Sequence, residues 1–153
     1  MKWWTTALTA GLLSVILVGC GGAKQAFEPA RTARAMLETP GVFTEELEAL
    51  DRAVIDGLYG LEGSGAVEAV CWYSPGGTAE EVTVLRFGTK DEAKAFEAQA
   101  LEHIADAKES NVSYRPQEMP KLDKAVVERR GDTLLILVSA DYDAAQAALD
   151  ALS

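Results

Sequence analysis

Cys71 and the sole histidine, His103, are the one pair in this sequence that could supply a thiolate nucleophile and its base. Their contexts argue for a plainer use. Cys71 lies midway along an apolar run, where a free cysteine behaves as a small buried hydrophobe, and His103 falls at the edge of the apolar face of a helical stretch. No third residue that would orient the base is evident, so no catalytic residues are expected. A zinc site would need more than one histidine and two scattered cysteines, and Glu45, Glu46, Glu48 and Asp51 lack the alternating ligand loop with its glycine that calcium requires. No metal and no cofactor are therefore expected. Arg130-Gly131-Asp132 has the chemistry of a tight hairpin turn, which explains it without an adhesion role. Tyr114-Arg115-Pro116 reads as a loop, and Trp72 lies on a strand with apolar residues on both faces. Trp72, Tyr114 and Arg115 are the expected binding residues.

The elements that must position these groups follow from periodicity. Thr44, followed by Glu45 and Glu46, suits the start of a helix carrying Phe43, Leu47, Leu50, Val54 and Leu58 on one face and ending at Gly60. Ala66 to Tyr73 and Glu81 to Phe87 read as two strands around Ser74-Pro75-Gly76-Gly77. Thr89-Lys90-Asp91-Glu92 is a capping box, and its helix carries Ala93, Phe96, Ala100, Ile104 and Ala107 to about Ser110, with Asn111 at its end. Ala125 to Arg130 and Thr133 to Ser139 form a second hairpin around Gly131-Asp132. Its latter strand is apolar on both faces and so belongs inside the sheet. Ser139 or Asp141 then caps a last helix, Tyr142 to Leu152. The order α-ββα-ββα predicts an α+β domain: a four-stranded, mostly antiparallel sheet from two ββα units, helices packed on one face, preceded by an N-terminal helix. The second face would then be free for that helix or for a partner.

Cys20 carries a different chemistry. Lys2 and the twelve-residue, mostly apolar stretch Ala7 to Val18 form an export signal, too short for a membrane span of about 20 residues. Leu17-Val18-Gly19-Cys20 resembles the lipobox of bacterial lipoproteins. That resemblance implies cleavage between Gly19 and Cys20 and a fatty-acylated Cys20 sulfur; two acyl chains hold far more firmly than one. The chain would then divide into a signal, residues 1–19; the lipidated cysteine with a tether, 20–42; and one domain, 43–153. Gly21 stands where aspartate is associated with inner-membrane retention, which leaves the leaflet open. Lipidation leaves Cys71 as the only thiol, so no internal disulfide is expected.

With 24 acidic against 14 basic residues and a net charge of −10, the chain is repelled by phosphate backbones, and nucleic acid is excluded as a partner. At 48% apolar it builds a core, which excludes bulk disorder and coiled coil. From about Leu47 to Ala151 the chain resembles a bacterial lipoprotein domain of unknown function, number 4358. The likeness is carried by Leu58-Tyr59-Gly60-Leu61, Val82-Thr83-Val84-Leu85 with the Asp91 to Ala100 helix, Tyr114 with Pro116, and Gly131 through Ser139. The resemblance implies location and architecture, with no catalytic residue, cofactor or substrate to carry over. The expected protein is a membrane-anchored extracytoplasmic lipoprotein. Its partners are the bilayer, through acylated Cys20, and an envelope protein or small ligand. The alternative is an envelope hydrolase using Cys71 and His103.

Overall fold

The computed structural model describes residues 24–153; the stretch expected to be an export signal, with the expected cleavage pair Gly19-Cys20, lies outside them. In chain order the elements are α1 (Pro29–Glu38), β1 (Glu48–Ala49), α2 (Arg52–Tyr59), β2 (Ala66–Tyr73), β3 (Glu81–Phe87), α3 (Lys90–Tyr114), a 3-10 turn (Pro116–Glu118), α4 (Met119–Asp123), β4 (Val126–Arg130), β5 (Thr133–Val138) and α5 (Tyr142–Asp150). The strands form one antiparallel sheet in the order β1-β2-β3-β5-β4.

Both hairpins form as the turn residues require, and Gly131 takes φ +61° between β4 and β5, the left-handed region a two-residue hairpin needs. Every residue of β5 is buried, as expected of a strand apolar on both faces. Alternation divides the sheet cleanly. Leu85, Phe87, Leu134, Ile136 and Val138 face a layer made by α2 and α3, while Val82, Val84, Leu135 and Leu137 face a layer made by α1 and α5. Each of these fully buried side chains contributes roughly 1.5–3 kcal/mol of apolar transfer.

Three expectations are corrected here. The two later helices do not share a face: α3 and α5 lie on opposite sides, giving helix, sheet and helix layers. The sheet has a fifth, two-residue strand, β1, paired with the end of β2. And residues 27–42 are not tether. The Glu28 carboxylate accepts the Arg31 N–H at 2.6 Å, Pro29 occupies the first turn, and Phe27, Ala33, Met36 and Val42 are buried over the sheet. The folded unit therefore begins at Phe27 rather than 43.

The helix expected from Thr44 is also revised: its first half is extended, and α2 starts only at Arg52. The expected face does not hold together: Phe43 and Leu47 pack with the α1–α5 layer and Leu50 with the α2–α3 layer, while Val54 and Leu58 are exposed and Ile55 and Tyr59 are the buried residues of α2. The chain must cross the sheet edge between Leu47 and Leu50, which one straight helix cannot do. Thr44 accordingly caps nothing; its N–H and hydroxyl donate to the Glu80 carboxylate at 2.9 and 2.6 Å. Further on, α3 passes Asn111 and ends at Tyr114, with Asn111 buried and its amide donating to the Ala107 carbonyl. Asp141, not Ser139, caps α5, accepting from the N–H groups of Asp143 and Ala144.

Candidate functional site

Two regions bring together side chains that packing alone does not demand. The first is a buried polar chain beneath α2 and α3. Cys71, Thr83 and Glu81 share the inward parity of β2 and β3, with Cys71 directly opposite Thr83 in the register. The Cys71 sulfur lies 3.0 Å from Thr83 Oγ1, which lies 2.9 Å from the Tyr59 hydroxyl; that hydroxyl donates to Glu81 Oε2 at 2.9 Å. His103 Nε2 reaches both Glu81 oxygens, at 3.0 and 3.2 Å, and its ring lies 4.5 Å from that of Tyr59. Each hydroxyl carries one proton. The Thr83 hydroxyl donates its proton to the Cys71 sulfur and the Tyr59 hydroxyl donates its own to the Glu81 carboxylate, so Tyr59 and Thr83 lie in contact with no further proton between them.

Burial, with the Glu81 charge adding, pushes the Cys71 thiol up to about 12, although the Thr83 hydrogen bond works against the shift. Tyr59 is raised well above its ordinary value, chiefly by burial and then by Glu81. For His103, burial pulls the pKa down but is outweighed by the hydrogen bond and charge of Glu81, with Asp106 adding, so the net shift is upward. A buried thiol held neutral is a poor nucleophile. The structure does connect Cys71 and His103, but through Thr83, Tyr59 and Glu81 rather than as thiol and base. At its outer end the chain opens on a shallow depression of about 170 Å³ between α2 and α3, where Tyr59 and His103 meet Gln99, Glu102 and Asp106. Gly60 ends α2 there with φ +61°, and a Cβ on it would stand 2.6 Å from the Gln99 amide nitrogen.

The second region is on the opposite face, at the β1–β2 end of the sheet. α1 lies across β2 and β3, leaving Val70 and Trp72 of β2 half-buried beside it. Ala30, Arg34, Leu37 and Glu38 of α1 complete a mainly apolar groove of about 470 Å³ against them. Past Trp72 it continues into a second hollow of about 430 Å³ walled by Pro40, Phe43, Leu47, Glu45 and Glu46. Trp72 and Leu37 belong to both, so the tryptophan forms the shared floor.

Of the other expected binding residues, Tyr114 is 88% exposed at the end of α3, not packed over the sheet. Arg115 is turned away from it and donates to the Gly76 and Thr78 carbonyls at 2.9 and 3.2 Å, tying down the β2–β3 loop. The same loop is held by Glu45, which accepts from the hydroxyls of Ser74 and Thr78, and these hydrogen bonds hold the Glu45 carboxyl below its usual range. Glu118 accepts the Ala79 N–H at 2.9 Å, and Lys121 bridges Glu80 and Glu118 at 2.8 and 3.0 Å. Trp72, Tyr114 and Arg115 thus do not form one site. Arg130 of the Arg-Gly-Asp run is 3% exposed, its guanidinium 4.2 Å from the Phe27 ring, so the tripeptide is not displayed on the surface. Among the described residues no group of three or more His, Cys, Asp or Glu side chains is placed to hold a metal ion, and no helix is long and apolar enough to cross a membrane.

Sequence reasoning missed the Glu81–His103–Tyr59 cluster. The signal was present: Glu81 shares parity with Thr83, Leu85 and Phe87, and a carboxylate at an inward position requires buried partners. His103 lies three residues after Ala100 on the inner face of α3, where such a partner can reach.

A family model described as Domain of unknown function (DUF4358) matches residues 41–139. The chain belongs to that family. The match covers the sheet with α2, α3 and α4, while α1 and α5, the layer that covers the second face, lie outside it. No curated protein and no solved structure matches the chain.

Proposed function

We propose that this family member is a lipid-anchored, extracytoplasmic binding module that holds a partner in the groove between α1 and β2. The observation that carries the reading is the half-buried Trp72 flooring two connected hollows. A large aromatic left partly uncovered beside Val70 and Leu37 is the kind of anchor point around which interfaces concentrate affinity. The occupant this lining suits is a peptide segment or small protein surface with an apolar anchor, and Glu38 and Glu46 at the rim favour one carrying basic flanks. Anchoring rests on the lipobox and proposes Cys20 as the acylated first residue. Because packing starts at Phe27, the leash from Cys20 is seven residues, at most about 25 Å when fully extended, so the domain would ride close to the bilayer. The alternative of a cysteine hydrolase loses support from the buried, neutral Cys71 thiol.

The test is photo-crosslinking in cells from Leu37, with the full-length chain and a control probe at exposed Val112 on α3. The expected result is a discrete adduct from Leu37, absent at Val112 and abolished by Trp72→Ala. Equal capture from both positions, or capture indifferent to Trp72→Ala, would sink the groove reading. Release of the chain from the membrane fraction by Cys20→Ala checks the anchor separately.

A further inference from the structure

Arg130 is an arginine buried where the chain enters the domain, with one nitrogen unused. Its Nε donates to Glu128 at 2.8 Å, its Nη1 to the Ser153 hydroxyl at 3.3 Å, and its plane lies over the Phe27 ring. Among the described residues nothing accepts from Nη2, although the side chain is only 2% exposed. A guanidinium cannot shed its charge, so an unpartnered buried N–H of this kind calls for an acceptor. Arg130 also lines a small cavity of about 70 Å³ together with Gln25, Phe27, Glu28, Arg31, Thr32 and Leu152. That is room for a small polyatomic anion rather than a single water.

The surroundings suit an anion. The N-terminus of the ten-residue α1 opens onto the cavity, and its dipole favours negative charge there. Arg31 supplies a second, exposed guanidinium. Against these stand two carboxylates. Glu28 is engaged in capping Arg31 N–H, and Glu128 is shared between Arg130 and Lys24. Of the side chains that line the cavity itself, the two guanidinium groups of Arg130 and Arg31 face the single carboxylate of Glu28.

We propose that this cavity binds a phosphate-class oxyanion, which accepts hydrogen bonds from Arg130 Nη2 and Arg31 at the N-terminus of α1. If Cys20 is the anchor, the site sits at the root of the leash, within reach of lipid headgroups; that membrane source rests on the anchoring proposal, whereas the anion site itself does not.

The test follows the arginine side-chain ¹⁵N resonances of the full-length chain in maltoside micelles free of phosphate. One arm adds inorganic phosphate and the other dopes the micelles with phosphatidylglycerol. The expected result is a saturable shift of the Arg130 guanidinium in at least one arm, weakened severalfold by Arg31→Gln and abolished by Leu152→Trp, which fills the cavity without touching the buried charge. A shift with phosphatidylglycerol assigns the lipid headgroup as the source; a shift with phosphate alone assigns a soluble anion and leaves the anchoring question untouched. Arg130 resonances unmoved in both arms, or moved equally in both variants, would overturn the site.

Discussion

Replacing Met36 by alanine asks whether α1 is a structural layer or a spacer. Met36 is fully buried in the cluster with Phe27, Val82, Val84 and Leu149. Met36→Ala removes three heavy side-chain atoms, worth about 2 to 2.5 kcal/mol in transfer alone at roughly 0.8 kcal/mol per methylene equivalent. Incomplete collapse of the space adds to this, so the expected loss is about 3 kcal/mol, inside the range of roughly 2–5 kcal/mol for such truncations. For a domain of this size that corresponds to a drop in Tm of about 10 °C. Urea unfolding followed by far-ultraviolet circular dichroism measures it without relying on fluorescence from nearby Trp72. Arg34→Ala, on the exposed side of the same helix, is the control and should stay within about 0.5 kcal/mol. If Met36→Ala also stayed within that margin, α1 would be a spacer carrying no share of the fold, and the groove against Trp72 would lose its wall.

The remaining predictions concern the buried polar chain. His103 has a folded-state pKa raised above its ordinary value, so the stability it contributes through Glu81 is fully present below pH about 6.5 and is lost as pH rises through the raised value. The difference in unfolding free energy between the wild type and His103→Gln should therefore be largest near pH 5.5 and shrink above neutrality; a difference constant across that range would rule out the His103–Glu81 coupling. With its thiol pushed up to about 12, Cys71 has about one thiolate in ten thousand at pH 8. Iodoacetamide should leave Cys71 unmodified in the native chain over hours and label it within minutes in urea, and rapid native labelling detected by mass spectrometry would refute the burial argument.

Local pattern carried far through this molecule. The two hairpins, the Thr89 cap with its N–H acceptor geometry, the all-buried β5 and the Asp141 cap depend on interactions within a few residues, and for that reason a linear reading reaches them. The segment around Thr44 shows where such reading stops. Its apolar residues recur at helical intervals, but their destinations lie on opposite faces of a sheet that forms later in the chain. Glu80, from a distant turn, then takes the hydrogen bonds a helix start would have used. α1 failed for a related reason: ten residues have marginal helical stability alone, and what holds them is the sheet face beneath Met36.

The same division separates the candidate sites. From the sequence alone come the two antiparallel hairpins, the strand buried on both faces, and Trp72 as a residue on the less committed face. Tertiary structure alone decided that Cys71 and His103 are joined through Thr83, Tyr59 and Glu81, that Arg115 staples a loop while Tyr114 stands free, and that Arg130 turns inward beneath Phe27. Each of those outcomes depends on which faces meet when the sheet closes between its two helical layers. Sheet order, and with it the side on which α3 and α5 pack, is set by long-range burial rather than by any residue's neighbours in the chain.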